Sequence, residues 1–171
     1  MATEGWSVKV RDVQSSEKIK ESAGTRFTVP EGRVLVGRSH QGDENGDTRY
    51  HHAVLVVVTP QGEYSTTVGK ASWSEGRREA GSEYTAARGR FMTGRYHAGD
   101  ENGPTEYETA EVSVRINGAE HRLSFTAGEW VEAGKEMSHD ALAPEGQVLV
   151  GRKHVGDEAG PTSHRFATPS V

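Results

Sequence analysis

The chain of 171 residues contains no cysteine. Disulfide bonds and thiolate metal sites are therefore excluded, and cysteine usage says nothing about the compartment. The densest apolar run, at 53–58, has six residues, whereas a transmembrane helix needs about 18. The first residues lack a basic region followed by an apolar one, so we expect no secretory signal. We therefore expect cytoplasmic localisation by default, with release without a signal peptide as the alternative.

A strong charge of one sign is also missing. The chain has 20 basic and 25 acidic residues, interspersed along the sequence, and a formal net charge of −5. Proteins bind nucleic acids or anionic membranes through an electropositive patch, and this balanced distribution of charge gives no sign of one. We expect no nucleic-acid partner and no membrane insertion. Nothing in the sequence indicates the oligomeric state.

One string, however, occurs three times. GRSHQGDENGDT begins at Gly37, GRYHAGDENGPT at Gly94 and GRKHVGDEAGPT at Gly151. The starting positions are 57 residues apart, and the chain length is three times 57. A fixed period of this size is typical of proteins built from copies of one supersecondary unit. We predict a single domain of three repeats, residues 1–57, 58–114 and 115–171.

The pattern within each repeat predicts β-structure. Two apolar, β-branched runs flank the repeated string, which is rich in Gly, Asp and Asn, and two weaker strand patterns precede them. We therefore predict an all-β domain of about twelve strands with internal threefold pseudosymmetry. A β-trefoil-like fold is the first choice, and a three-sheet β-prism is the alternative. The apolar run at 53–58 is predicted to be a strand buried on both faces.

This threefold layout resembles that of lectin families with trefoil or prism folds. The resemblance concerns architecture alone, because the sequence has neither the Q-x-W of ricin-type trefoils nor the Q-x-D-x-N-x-V-x-Y of monocot mannose-binding prisms. It implies a threefold fold of this kind, and fold analogy alone does not establish function.

Identity among the three copies is concentrated in the string. Eight positions are the same in all copies, whereas the first segments (WSVKVRD, EYSTTVG and EHRLSFT) share almost nothing. The identical positions in the first copy are Gly37, Arg38, His40, Gly42, Asp43, Glu44, Gly46 and Thr48. Either a ligand or the geometry of the fold accounts for this retention.

In the ligand hypothesis, the polar groups face water and bind sugar hydroxyls, and a tyrosine ring stacks on a pyranose. Three such sites on one rigid body gain avidity on clustered glycans. The third copy has Ala159 and His164 in place of the asparagine and the tyrosine, so we expect it to be weakest. Trp73 and Trp130 are further stacking platforms or core residues. The candidate ligand-binding residues are Arg38, His40, Asp43, Glu44, Asn45 and Tyr50, then Arg95, His97, Asp100, Glu101, Asn102 and Tyr107, and finally Arg152, His154, Asp157 and Glu158.

In the alternative hypothesis, the same residues only brace the fold. Arg38 would form an ion pair with Asp43 or Glu44 and fix the loop to its own strand. The protein would then be a non-enzymatic structural or protein-interaction module. A second alternative is a calcium site, formed by the carboxylates and carbonyls of the three GDE loops.

Catalysis has the least support. The sequence has no G-x-S-x-G elbow, no phosphate-binding glycine fingerprint and no cysteine nucleophile. We therefore expect no enzyme, no catalytic residue and, apart from the possible calcium, no cofactor. The expected partners are glycans or other polar small ligands.

Overall fold

The structure, a computed structural model, describes residues 3–20, 23–42, 46–78, 81–100, 102–135, 138–156 and 159–171. Over these residues the chain is all-β: its strands pair antiparallel and are linked into one open sheet. Within the described residues, no helix is long and apolar enough to cross a membrane.

The described part of the chain contains sixteen strands where about twelve were predicted, because several weak segments form short strands of their own. In chain order they are β1 (Ser7–Ser15), β2 (Ile19–Lys20), β3 (Ala23–Thr28), β4 (Val34–Gln41), β5 (Asp47–Thr59), β6 (Gly62–Val68), β7 (Ser72–Trp73), β8 (Arg77–Arg78), β9 (Ser82–Thr85), β10 (Arg90–Ala98), β11 (Pro104–Ile116), β12 (Ala119–Arg122), β13 (Ser124–Lys135), β14 (Ser138–Leu142), β15 (Val148–His154) and β16 (Pro161–Ser170).

The repeated string forms the ends and the loops of three hairpins, β4–β5, β10–β11 and β15–β16. We call them the first, second and third hairpins. Their registers correspond at positions 57 residues apart: His40 pairs with Thr48, His97 with Thr105, and His154 with Thr162. Each hairpin also has one register shift, which lies just before Gly37, Gly94 and Gly151.

Every hairpin takes an edge strand from another repeat. β3 of the first repeat pairs with β10, β9 of the second pairs with β15, and β14 of the third pairs with β4. The string's first glycine permits this approach. A Cβ at Gly37 would lie 2.3 Å from the carbonyl oxygen of Ala141, and a Cβ at Gly94 would lie 2.3 Å from that of Phe27. A larger residue would push the incoming strand away.

The core consists mainly of aliphatic side chains from the same hairpin strands. Val34, Leu35 and Val36 open β4 and are all 1% exposed. In β5, Ala53, Leu55 and Val57 are buried, whereas the alternate residues at 54, 56 and 58 are half-buried. The prediction of a strand buried on both faces is therefore wrong, since this part of β5 has one core face and one partly exposed face.

Candidate functional site

Each repeated loop is closed at its base by the retained histidine. In the second hairpin, Nδ1 of His97 lies 2.8 Å from Oγ1 of Thr105, and Nε2 lies 3.0 Å from the carbonyl oxygen of Gly99. We call this arrangement the histidine clamp. It recurs at 2.7 and 2.9 Å for His40 with Thr48 and Gly42, and at 2.8 and 2.9 Å for His154 with Thr162 and Gly156.

The chemistry of the partners fixes the direction of these bonds. A carbonyl oxygen only accepts, so Nε2 of the histidine donates to it, and in the neutral ring Nδ1 accepts from the threonine hydroxyl. His97 is 5% exposed and Thr105 is fully buried. The clamp therefore satisfies polar groups inside the protein and joins both ends of the loop.

The loop glycines are retained for geometric reasons. A Cβ at Gly103 would lie 1.7 Å from the carbonyl oxygen of Ala98, and one at Gly46 would lie 1.9 Å from that of Gln41. No side chain fits at these distances. The glycines after the histidine have positive φ, at +99° for Gly42 and +80° for Gly99, a region that other residues rarely adopt.

The retained arginines lie inside the protein. Arg38, Arg95 and Arg152 are each at most 2% exposed. Nη1 of Arg38 lies 3.0 Å from Nε2 of His139, and Nη1 of Arg95 donates to the hydroxyl of Tyr50 at 3.5 Å. Both contacts join neighbouring repeats. The expectation that these guanidinium groups, and the equally buried clamp histidines, face water is wrong.

The two candidate stacking tyrosines are also buried. Tyr50 is 5% exposed and its ring stacks on Phe27 at 4.4 Å, while Tyr107 is 1% exposed and stacks on Tyr84 at 4.4 Å. In this position neither ring can stack on a pyranose. In the third repeat, His164 replaces the tyrosine, and the ring of His139 lies 5.4 Å from it.

The remaining candidates belong to the loops. Asp100 and Asn102 are exposed, and the backbone N–H of Asn102 donates to Oδ1 of Asp100 at 2.8 Å. Arg78 of β8 donates to the side-chain oxygen of Asn102. Asp43, Glu44, Asn45, Glu101, Asp157 and Glu158 lie outside the described residues. The described part of the chain contains no group of three residues that could hold a metal ion.

A polar and aromatic cluster lies on the outer side of the second hairpin. Arg26, Trp73, Tyr96 and Glu106 form it, and we call it the second face. The guanidinium carbon of Arg26 lies 4.8 Å from the centre of the Trp73 ring and 4.4 Å from that of Tyr96. Nη1 and Nη2 of Arg26 donate to the two carboxylate oxygens of Glu106 at 3.1 and 3.4 Å.

Sequence reasoning identified only Trp73 of this cluster as a possible platform. Arg26 comes from β3 of the preceding repeat, opposite Tyr96 in the register. Tyr96 stands in turn opposite Glu106. Pairing between different repeats therefore creates the second face, and the spacing within one repeat does not reveal it. The tyrosine at the variable position of GRYH was the available signal.

The third hairpin has a related but different cluster, the third face, made of Trp130, Lys153 and Arg165. Nζ of Lys153 lies 5.1 Å from the centre of the Trp130 ring, and the guanidinium carbon of Arg165 lies 5.7 Å from it. Nε of Arg165 also donates to the carbonyl of Gly128 at 2.7 Å.

The first repeat has no corresponding cluster of aromatic residues. Ser16 and Ser39 stand there at the positions of Trp73 and Tyr96, so that repeat lacks the aromatic pair.

A charged cluster at the first hairpin perturbs two titratable groups. Nε of Arg33 donates to Nδ1 of His52 at 2.7 Å, and its Nη1 donates to Oδ2 of Asp12 at 3.1 Å. Burial, followed by the positive charge of Arg33, lowers the pKa of His52. Hydrogen bonds from Gln14 and then Arg33 lower the pKa of Asp12. This cluster acts as a brace between β1 and the hairpin.

Comparison with known proteins does not assign the chain to a family. No protein-family model matches it, no curated protein is significantly similar to it, and no solved structure matches it. The function therefore has to be inferred from the residues of this chain.

Proposed function

We propose that this protein is a non-enzymatic carbohydrate-binding protein, and that its sites are the second and third faces. The observation that carries the proposal is the second face, where two half-buried aromatic rings share one guanidinium held by a carboxylate. Aromatic rings pack against the apolar face of a pyranose, and a paired arginine and carboxylate bind its hydroxyls.

The exposed loop of the second hairpin extends this site. Asp100 and Asn102 are held on the loop next to Arg78, and β8 carries Arg78 along the same edge of β11 as Trp73 on β7. In the proposal, the histidine clamp holds the loop rigid so that these polar groups keep their positions. Preorganised groups bind at a lower entropic cost than mobile ones.

We also propose that the three repeats are arranged around a pseudo-threefold axis. Support comes from the cyclic order of pairing, in which the first repeat lends a strand to the second, the second to the third and the third to the first. Each hairpin thereby has partners on both edges, as in the sheets of a prism. The β-prism is therefore the form that we propose in preference to the trefoil.

A glycan array tests the proposed function. We expect the purified chain to bind at least one glycan, and we expect Trp73→Ala to weaken binding at the second face by about tenfold or more, since a stacked ring contributes about 1.5 kcal/mol. The control is Tyr107→Phe, which should leave binding unchanged because that ring is buried. An array without any bound glycan would contradict the proposal.

A second function is favoured by the burial of the retained arginines, histidines and threonines. If the string serves only to brace the fold, the protein is a structural or protein-interaction module, and both outer faces are covered by their own cations. This candidate predicts a folded chain that binds no glycan. A calcium site at the GDE loops predicts instead that a chelator lowers thermal stability and that added Ca²⁺ restores it.

A further inference from the structure

We infer that Ser15 is an activated nucleophile that accepts a short acyl group from an ester. It belongs to a hydrogen-bonded chain of Ser15, His51 and Asp140 at the first hairpin, which we call the first face. The inference goes beyond the carbohydrate-binding function and does not depend on it, because the proposed sugar sites are the second and third faces. The transfer ends with the acyl group on Ser15, so it makes the protein an acceptor and not an enzyme.

The first face links side chains from three strands. Oγ of Ser15, on β1, lies 2.7 Å from Nδ1 of His51, on β5, and the two residues stand directly opposite each other in the register. Nε2 of His51 lies 3.2 Å from Oδ1 of Asp140. Asp140 comes from β14 of the third repeat, the edge strand that pairs with β4. Pairing between repeats therefore completes the first face, as it completes the second.

The first glycine of the string gives the histidine its path across the sheet. β4 lies between β5 and β14, and a Cβ at Gly37 would lie 3.0 Å from Cδ2 of His51. A side chain at this position would crowd the ring and turn it away from Asp140. The ring instead lies close to the backbone of β4, and the His51 side chain is only 13% exposed.

The two partners determine where the protons of this chain lie. A carboxylate only accepts, so Nε2 of the neutral His51 ring donates to Asp140, and Nδ1 accepts the hydroxyl proton of Ser15. A serine bonded to a histidine base, which a third group orients, is the arrangement that activates a hydroxyl for attack. Ser15 is exposed, so an ester can reach its hydroxyl from solvent.

The transfer is balanced among these groups and the ester. Oγ of Ser15 attacks the carbonyl carbon while its proton passes to Nδ1 of His51. Arg49, which is exposed and stands two residues before His51 on β5, lies on the same side of the sheet and can stabilise the oxyanion. The bond from the carbonyl carbon to the ester oxygen then breaks, and the departing alcohol takes the proton. The products are an acyl ester of Ser15 and the free alcohol.

A pocket beside the nucleophile favours a short, uncharged acyl group. Ser15 is one of the residues that line a pocket of about 440 Å³, a volume typical of sites for small ligands. Its apolar residues are Ile19, Phe27 and Pro30. Glu17 and Lys18 also line it, and because their charges are opposite, they favour neither an anionic nor a cationic substituent.

The test is incubation of the full chain with p-nitrophenyl butyrate, followed by peptide mapping with mass spectrometry. We expect a butyryl group on Ser15 and the release of about one equivalent of p-nitrophenolate. His51→Gln should slow butyrylation of Ser15 by about tenfold or more, because it removes the general base. Asp140→Asn should slow it by about threefold, since this carboxylate orients the ring but is 75% exposed. Asp140→Glu should restore most of the rate.

Two serine variants separate the first face from ordinary surface reactivity. Ser15→Ala should abolish the label at this position without changing thermal stability, whereas Ser65→Ala, which removes an exposed serine of β6, should leave butyrylation of Ser15 unchanged. Butyrylation of Ser15 no faster than that of Ser65, or a rate at Ser15 that His51→Gln does not lower, would overturn the inference. The glycan array decides the carbohydrate-binding function separately, because the first face is not among its sites.

Discussion

The Nδ1 atom of His97 lies 2.8 Å from the hydroxyl oxygen of Thr105, and this contact joins the two strands of the second hairpin directly beneath its loop. Because the same ring also donates to the carbonyl of Gly99, one side chain fixes both ends of the loop. The repetition of this contact in all three hairpins explains why histidine and threonine are retained in the string while the neighbouring positions vary.

We expect His97→Ala to lower the free energy of unfolding by about 2–3 kcal/mol, because it removes both hydrogen bonds of the clamp, one of them to the buried hydroxyl of Thr105. Urea denaturation of the full chain measures this change. Gln61→Ala, at an exposed turn position, is the control and should stay within about 0.5 kcal/mol. Equal stability of the two variants would show that the clamp contributes nothing.

Gly103→Ala should be more severe, with a loss of about 3 kcal/mol or more, because its Cβ would overlap the carbonyl oxygen of Ala98 at 1.7 Å. Gly69→Ala is the matched control, since its Cβ would meet only the carbonyl of Glu111 at 3.4 Å. Thermal melting of both variants measures the difference. A Gly103→Ala protein as stable as Gly69→Ala would refute the close approach.

Tyr107→Phe should leave stability within about 1 kcal/mol of the parent or raise it. The hydroxyl is buried without a hydrogen-bond partner among the described residues, so its removal costs little, and the stack on Tyr84 remains. Tyr107→Ala should cost about 3–5 kcal/mol through the cavity it creates. Calorimetry distinguishes the two, and a large loss in the phenylalanine variant would contradict the packing described above.

Acidification should destabilise the fold through His52. Because burial and Arg33 lower its folded-state pKa, the unfolded chain binds more protons below the ordinary value of about 6.5, and the free energy of unfolding falls as pH falls through the folded pKa. His52→Thr should make this dependence shallower. The hydroxyl of Thr109, the corresponding residue, accepts from Arg90 in the same way at 3.0 Å.

Denaturation at several pH values between about 7.5 and 5 measures the slope, whose change should approach one proton at most. Because the two proteins share every other residue, only the difference between the parent and His52→Thr is informative. An unchanged slope would mean that His52 does not carry this dependence.

The sequence was sufficient to predict the hairpins and their loops. Glycines at fixed positions between β-branched runs identify where the chain turns, and the structure finds positive φ at Gly42, Gly99 and Gly156. The all-β class follows from the same local signals, because strand propensity and turn chemistry act over a few residues.

The orientation of the string's side chains could not be predicted. Arg38 and His40 are buried while Ser39 between them is half-buried, so both faces of this strand carry polar residues. The alternation of side chains along the strand therefore gives its period of two residues, but it does not indicate which face of the strand lies inside the protein. Arginine side chains are seldom buried in proteins, and this favoured the hypothesis that the polar side chains of the string face water.

The second face was missed for a different reason. Its arginine, Arg26, meets Tyr96 from 70 positions away because β3 crosses to the next repeat. Contacts of this kind depend on strand order, which no local pattern specifies. Two of its residues carried a signal in the sequence: Trp73, an aromatic residue shared in position with Trp130, and Tyr96, at the variable position of the string.

The most direct measurement is an NMR titration of the indole N–H signals of the three tryptophans with a glycan that the array identifies. We predict that the ligand shifts the signal of Trp73, of Trp130 or of both, while the signal of Trp6, which packs edge-on against His121, stays in place. Saturation with ligand that moves neither Trp73 nor Trp130 would contradict the assignment of the binding sites to the second and third faces.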